Sequence, residues 1–229
     1  MKDWLHTLFY WLSVWTWGGF LVRLVARWEV KGRRKIPRRG PLILASNHLN
    51  LTDPPILTVV MPRRVVWMAK QELFDIPVFG LIYHLTGCIP VRRFEADLRA
   101  LLRAQQVLRE GYTLGMFPEG TRGRGRGLKP GEPGTALLAL RTGAPVLPVA
   151  IWGTERMRLP AYLFKRARVQ VVFGEPFSVG QSQRPRREAI AQATDLIMKR
   201  IAALLPAECR GVYGEATTDV AAATKEGDS

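Results

Sequence analysis

The chain has 229 residues, 47% of them hydrophobic, which is enough for one folded domain with a sizeable core and excludes a wholly disordered chain. Lys and Arg number 34 against 19 Asp and Glu, so the net charge of +15 predicts an anionic partner: a membrane surface, nucleic acid or a phosphorylated substrate. The two cysteines, Cys88 and Cys209, exclude a disulfide framework, and neither has metal-ligand spacing. We therefore expect a reducing, cytosolic environment and no bound metal.

The amino-terminal segment is apolar and rich in tryptophan. Residues 4–22 carry no charged side chain unless His6 is protonated, and five of the seven tryptophans fall by residue 28. The run is close to the minimum length of a membrane span, but polar residues interrupt it, and tryptophan prefers the headgroup region of a bilayer. We predict that residues 1–30 form a membrane-embedded aromatic helix or two-helix motif in one leaflet. The alternatives are a single span and a buried core helix.

A basic cluster follows at residues 31–39, which contain six Lys or Arg residues and no acid. Such a cluster suits anionic lipid headgroups. We therefore expect the lipid bilayer to be a partner and the domain to lie at the cytoplasmic face of the cell membrane.

Strand-like and helix-like segments alternate from residue 41 onward, which is typical of an α/β domain. Short apolar runs predict strands at residues 41–45, 65–69, 89–91, 112–117, 146–152 and 169–173. Apolar periodicity with terminating Gly or Pro predicts helices at residues 76–85, 95–110, 135–141 and 187–205. We expect one α/β domain over residues 31–210 and a disordered acidic tail over residues 211–229.

The helix predicted at residues 95–110 is clearly amphipathic. Its predicted apolar side consists of Leu98, Leu101, Leu102, Gln105 and Leu108.

A histidine and a carboxylate follow the first of these strands. His48 comes just after the apolar run, Asp53 lies five residues later, and Pro54-Pro55 suits a helix start, with Thr52 or Asp53 at the cap. A strand–loop–helix can bring the two side chains together. A carboxylate that accepts a hydrogen bond from one imidazole nitrogen fixes the tautomer. The other nitrogen is then free to act as a general base. The alternative is a loop histidine beside a helix cap.

Three further stretches lie at turns, where α/β folds place their sites. Residues 87–93 end in two arginines, whose planar forks suit phosphate oxygens, although a solvated surface pair is the alternative. Residues 117–122, Phe-Pro-Glu-Gly-Thr-Arg, combine a turn glycine with a hydroxyl and an anion-binding arginine. Residues 143–150 are an apolar strand entry with two prolines, most of which should be plain core.

In this order and at these separations, the four stretches resemble the four sequence blocks of the glycerolipid acyltransferases, most closely the 1-acylglycerol-3-phosphate acyltransferases. The first block, N-H-x4-D, corresponds to Asn47, His48 and Asp53, and the third, F-P-E-G-T-R, is matched residue for residue at residues 117–122. Residues 87–93 and 144–149 correspond to the second and fourth blocks.

The chain departs from the family pattern at two positions. Arg92 stands where the family often has an acidic or amide residue, and Gly123 stands where Ser commonly follows the third block. Both departures concern recognition of the acceptor more than the reaction.

The resemblance implies an α/β fold with a central mixed sheet flanked by helices. It implies transfer of a fatty acyl group from a thioester, on coenzyme A or acyl carrier protein, to the sn-2 hydroxyl of lysophosphatidate, with no cofactor. His48 would be the general base and Asp53 would orient it. The residues implied for the acceptor's phosphate are Arg93, Glu119, Gly120, Thr121 and Arg122.

Other functions fit parts of the sequence. The same chemistry could act on another lysolipid, such as a lyso-ornithine lipid, another lysophospholipid or a glycan headgroup. The positive charge and the Arg-Gly run at residues 122–127 would suit a nucleic-acid-binding module, but no groove-reading helix or aromatic stacking strand is evident, so we expect no nucleic acid. An inactive lipid-binding relative is disfavoured because both His48 and Asp53 are present.

Overall fold

The computed structural model describes residues 2–16, 19–20, 26–92, 97–123, 127–157 and 167–214. The strands are β1 (Ala26–Lys31), β2 (Leu42–Ser46), β3 (Val65–Lys70), β4 (Ile89–Val91), β5 (Thr113–Met116), β6 (Val146–Trp152) and β7 (Ala167–Phe173). They form a seven-stranded sheet in the order β1-β7-β6-β2-β5-β3-β4. The described helices are α1 (Lys2–Trp15), α2 (Asp53–Val60), α3 (Pro77–Thr86), α4 (Leu98–Arg109), α5 (Gly134–Thr142) and α6 (Arg187–Ala202).

The central strand β2 is buried on both faces, which explains its continuous apolar sequence. Ile43 and Ala45 pack into a core shared with α4, α5 and α6. Leu42 and Leu44 point to the opposite face and pack with α2. The sheet therefore separates two helical layers.

Strands β6, β2, β5, β3 and β4 run parallel, whereas β7 is antiparallel to β6. The predicted α/β fold with a mixed central sheet and flanking helices is confirmed. Because β2 and β5 are parallel neighbours, the loops that leave their carboxyl ends lie side by side. This edge is where open α/β sheets bind ligands.

The predicted helical segment is wrong for residues 26–30, which belong to β1. This strand pairs in parallel with β7 at the sheet edge. Its exposed Arg27 and Glu29 alternate with the more buried Trp28 and Val30, a period of two that indicates a strand. The tryptophan-rich run before it concealed this short alternation. The α/β domain therefore includes residues 26–30, which were predicted to lie outside it.

Among the α1 residues whose side chains the structure describes, buried and exposed ones lie on different sides of the helix. Tyr10 and Val14 are buried, and the Tyr10 hydroxyl accepts a hydrogen bond from the backbone N–H of Val65. Burial raises the pKa of Tyr10 to about 12. Leu8, Phe9 and Leu12 lie on another side and are 41–48% exposed. Across the described residues, every helix is too short or too polar to cross a membrane.

The carboxyl-terminal boundary also differs from the prediction. Residues 211–214 are ordered against the segment 127–131: Val212 donates to the Leu128 carbonyl oxygen, and the Tyr213 hydroxyl accepts from the Gly131 N–H. The Tyr213 ring also packs on the core, which explains why these residues do not join a solvated tail. The predicted tail at residues 215–229 lies outside the described residues.

In α4 the predicted apolar face is partly wrong. Ala100 and Ala104 pack toward the sheet, because small side chains allow close approach of the helix, whereas Leu98 and Leu102 are 61% and 55% exposed.

The indole ring of Trp67 on β3 lies directly against Gly115 in β5. A Cβ atom at residue 115 would lie 2.5–2.7 Å from carbons of this ring, so any larger residue must displace it. We expect Gly115→Ala to lower the free energy of unfolding by about 1–3 kcal/mol through overpacking. Urea denaturation would measure this change.

Gly134→Ala is the matched control, because a Cβ there meets nothing within 4 Å and alanine favours a helix start. Equal stability of the two variants would show that the Trp67 contact does not restrict residue 115.

Candidate active site

The loop between β2 and α2 closes around the carboxylate of Asp53. Asp53 Oδ2 lies 2.9 Å from His48 Nδ1, and it accepts backbone N–H bonds from Leu49 at 2.6 Å and Asn50 at 2.7 Å. Asp53 is fully buried and His48 is 7% exposed. A carboxylate oxygen that already accepts two backbone N–H bonds acts as an acceptor, so we assign the proton to the Nδ1 that faces it. This tautomer leaves Nε2 as the acceptor nitrogen.

Asp53 opens α2 as predicted, with Pro54 and Pro55 in its first turn. Thr52 occupies the N-cap position but makes no side-chain cap bond. The carboxylate of Asp53 instead binds the backbone of the loop that precedes it.

An aromatic ring stacks on one face of the His48 imidazole, and a second aromatic ring stacks on the first. The Phe117 ring stacks on it with centroids 4.0 Å apart and planes 19° apart. Trp67 stacks in turn on Phe117 at 5.1 Å and 12°. This stack restricts rotation of the imidazole and covers one of its faces with apolar surface.

Two asparagines attach the loop to the β6 side of the sheet. The Asn47 amide donates to the Ile151 carbonyl oxygen at 2.7 Å and accepts from the Ile151 N–H at 2.8 Å. The Asn50 amide donates to the carbonyl oxygens of Thr154 and Met157. The backbone is therefore held on both sides of His48.

Glu119 is also part of this support, which sequence reasoning did not predict. Its Oε1 accepts the His48 N–H at 2.9 Å, and its Oε2 accepts the Lys129 N–H at 3.2 Å. The carboxyl group is 4% exposed, and burial raises its pKa although both N–H bonds oppose the shift. A buried acceptor of this kind does not suit direct contact with a phosphate, so its geometry disagrees with the predicted phosphate-binding role.

Gly120, Thr121 and Arg122 continue this loop toward the surface. Gly120 has φ +65°, the left-handed conformation expected for a turn glycine. The Lys129 ammonium donates to Thr121 Oγ1 at 2.9 Å and to the Arg122 carbonyl oxygen at 2.8 Å. Arg122 itself is exposed. These two Lys129 bonds were not predicted from the sequence.

Gly123 completes the contact between the two loops. Its N–H donates to the His48 carbonyl oxygen at 2.7 Å. A Cβ at this position would lie 3.3–3.5 Å from three oxygens, those of Gly127, Glu119 and His48. The loop is thus closely packed at the position where the resemblance led us to expect serine.

The second predicted arginine site is only partly described. Arg93 lies outside the described residues, and Arg92 is exposed at the end of β4. Searched over the described ranges, His, Cys, Asp and Glu side chains form no group of three that could hold a metal ion.

The Glu119 contacts predict a measurable effect on stability. Glutamine has one acceptor oxygen in place of two, so Glu119→Gln leaves one buried N–H of the loop pair without its partner. We expect a loss of about 1–3 kcal/mol in the free energy of unfolding. Urea denaturation of Glu132→Gln, an exposed carboxylate on the same loop, is the control. Equal stability of the two variants would mean that the Glu119 bonds do not support the loops.

Comparison with known proteins places this chain in a family. The family model described as Acyltransferase matches residues 27–152, more than half of the chain. A 1-acyl-sn-glycerol-3-phosphate acyltransferase of Haemophilus influenzae is 31% identical over 199 residues, covering 80% of this chain and 82% of that protein. A protein of the same name from Borreliella burgdorferi is 33% identical over 137 residues, which cover 59% of this chain and only 55% of the relative.

The crystal structure of the 1-acyl-sn-glycerophosphate (LPA) acyltransferase PlsC from Thermotoga maritima has a similar fold. It aligns with a TM-score of 0.67 and 25% identity over 86% of this chain and 77% of that one. With the family model and the Haemophilus relative, this similarity confirms the family predicted from the sequence. The chain belongs to the acyltransferase family.

Proposed function

We propose that this protein transfers a fatty acyl group from an acyl thioester, on coenzyme A or acyl carrier protein, to the sn-2 hydroxyl of lysophosphatidate, forming phosphatidate. The observation that carries the proposal is the His48–Asp53 pair on its hydrogen-bonded loop, in a chain whose relatives are named for this reaction. No cofactor is required, because the thioester is a co-substrate that already activates the acyl group.

His48 Nε2 takes the proton of the acceptor hydroxyl as its oxygen attacks the thioester carbonyl. Asp53 Oδ2 accepts the hydrogen bond from Nδ1–H throughout and stabilises the imidazolium that forms. The tetrahedral intermediate then releases the thiol: the C–S bond breaks, the new C–O ester bond stays, and the imidazolium returns its proton to sulfur. The step consumes one hydroxyl and one thioester and yields one ester and one thiol.

The acceptor's phosphate binds along the loop 119–122. Arg122 supplies an exposed guanidinium, Thr121 a hydroxyl, and Gly120 close backbone approach. Arg93 contributes a second guanidinium. We assign Glu119 to orientation of this loop against His48 because its oxygens already accept two backbone N–H bonds.

A lipid acceptor and product require the enzyme to work at a bilayer. The exposed apolar side of α1 and the exposed arginines that follow β1 fit the cytoplasmic face of the cell membrane. These arginines are Arg33, Arg34, Arg38 and Arg39. The +15 charge is thereby explained by phospholipid, without a nucleic acid.

A second candidate acceptor is another lysolipid, such as a lyso-ornithine lipid. The observation that favours it is the pair of departures at Arg92 and Gly123: Gly123 contacts the His48 loop, and Arg92 follows β4. The acyl-transfer chemistry at His48 would be the same.

Removal of the base should abolish turnover. General base catalysis contributes about 10²–10⁴ in rate, so we expect His48→Ala to lower kcat at least a hundredfold while the protein stays folded. Mass spectrometry would detect phosphatidate made by purified protein in detergent from lysophosphatidate and either thioester. His84→Ala, an exposed histidine on α3, should retain full activity.

Near-normal turnover by folded His48→Ala protein would contradict the mechanism. Wild-type activity on a different lysolipid, with none on lysophosphatidate, would favour the second candidate.

Removal of Arg122 should weaken selection for the phosphate. A charge-assisted hydrogen bond contributes about 1.5–3 kcal/mol, so we expect Arg122→Ala to lower kcat/KM for lysophosphatidate about tenfold to a hundredfold. The expected change for monoacylglycerol, which lacks the phosphate, is small. Arg99→Ala, which removes an exposed arginine of α4, should change neither value. An equal loss on both acceptors would assign Arg122 a structural role instead.

A further inference from the structure

Helix α3 exposes an apolar surface that the site does not use. Val78 is 68% exposed, Leu81 60% and Ile82 46%, and Ile76 just before the helix is 43% exposed. The ten residues of α3 include no Asp, Glu, Lys or Arg, and His84 is the one side chain that could carry a charge. A helix that faces water normally carries polar residues on its outer side, so this surface lacks the composition of a solvated one.

The helix that carries this surface is a neighbour of α1. The two helices pack together on the same side of the sheet. Arg64 links them: its guanidinium donates to Thr7 Oγ1 on α1 at 3.0 Å and to the Thr86 carbonyl oxygen on α3 at 3.2 Å. The exposed Leu8, Phe9 and Leu12 of α1 are thus accompanied by a second row of exposed apolar side chains.

The surface also extends to the edge of the sheet that carries the site. Strand β3 runs parallel to β2 and β5, so the segment that follows it, and the Pro77 end of α3, begin at the edge where the His48 loop lies. The Thr86 end lies at the opposite edge, beside Arg64.

We propose that α3 is a second membrane-contacting element, whose Val78, Leu81 and Ile82 enter the acyl-chain region of an anionic leaflet beside α1. The proposal rests on the proposed function for its lipid partner. A net charge of +15 attracts an anionic bilayer and repels a second copy of the chain, so lipid is the occupant that the electrostatics favour. With α1 alone, the domain could pivot on the membrane; with α3 also inserted, the His48 edge is turned toward the lipid.

The full-length triple variant V78Q/L81Q/I82Q tests the proposal, because glutamine removes apolar surface and retains helix propensity. The probe is co-sedimentation with vesicles of phosphatidylcholine and phosphatidylglycerol. We expect at least about a tenfold loss in vesicle partitioning, given the apolar area withdrawn from the bilayer. The variant L8Q/F9Q/L12Q, on α1, is the positive reference.

The matched control is L98Q/L102Q/V212Q. These residues are similarly exposed, at 61%, 55% and 66%, but α4 and the segment around Val212 pack on the opposite face of the sheet. The control should bind vesicles as the wild type does. Circular dichroism and gel filtration of every variant would verify folding and oligomeric state.

A second measurement detects contact of α3 with the bilayer while its other apolar side chains stay in place. Leu81→Cys, labelled with an environment-sensitive fluorophore after replacement of Cys88 and Cys209 by serine, should shift its emission to the blue on vesicles, whereas labelled Leu98→Cys should not. Wild-type vesicle binding by V78Q/L81Q/I82Q, or no shift at residue 81, would overturn the proposal. A wild-type dimer that this variant converts to a monomer, with vesicle binding intact, would identify a second copy as the occupant.

The two proposals can fail separately. If wild-type protein makes phosphatidate in detergent but does not bind vesicles, the membrane-contacting role of α3 is refuted and the proposed reaction is not. If vesicle binding requires the apolar side chains of α3 but the protein does not acylate lysophosphatidate, the proposed reaction is refuted and the membrane-contacting role of α3 is not.

Discussion

The site depends on one carboxylate oxygen that accepts three hydrogen bonds. Asp53 Oδ2 binds the His48 ring and the two backbone N–H groups between histidine and helix, so it fixes the loop and the tautomer together. Because Asp53 begins a helix that packs against β2, the position of the imidazole follows directly from the core. The five-residue spacing is the length of backbone that this closure requires.

The second loop is aligned to the first through the backbone, with Glu119 between them. Its two oxygens join the N–H groups of His48 and Lys129, while Gly123 returns a bond to the His48 carbonyl oxygen. A loop that binds the acceptor's phosphate would thereby be held in register with the base, so the site is organised before a substrate arrives. Such preorganisation reduces the entropy that must be lost at the moment of reaction.

The parts of the structure that the sequence predicted are those with strong local patterns. Strand β2 is recognisable because both its faces are buried, and the His48–Asp53 contact because the prolines place a helix start after it. Glu119 carries no such signal, since whether a carboxylate faces a phosphate or two backbone N–H groups depends on residues 71 and 10 positions away in sequence. Strand β1 was missed because an edge strand is short and half-polar, and its pairing partner lies far along the chain.

The aromatic stack beneath His48 has a consequence for the order of events in the proposed reaction. An imidazole held between Phe117 on its face and Asp53 at Nδ1 cannot turn over to present a different nitrogen. The proton taken from the hydroxyl and the proton given to sulfur must therefore pass through the same Nε2 atom. Because the hydroxyl attacks the thioester directly in the proposed mechanism, with no acyl-enzyme, both substrates meet at this atom in a ternary complex. Such a complex corresponds to sequential kinetics, with intersecting lines in a double-reciprocal plot.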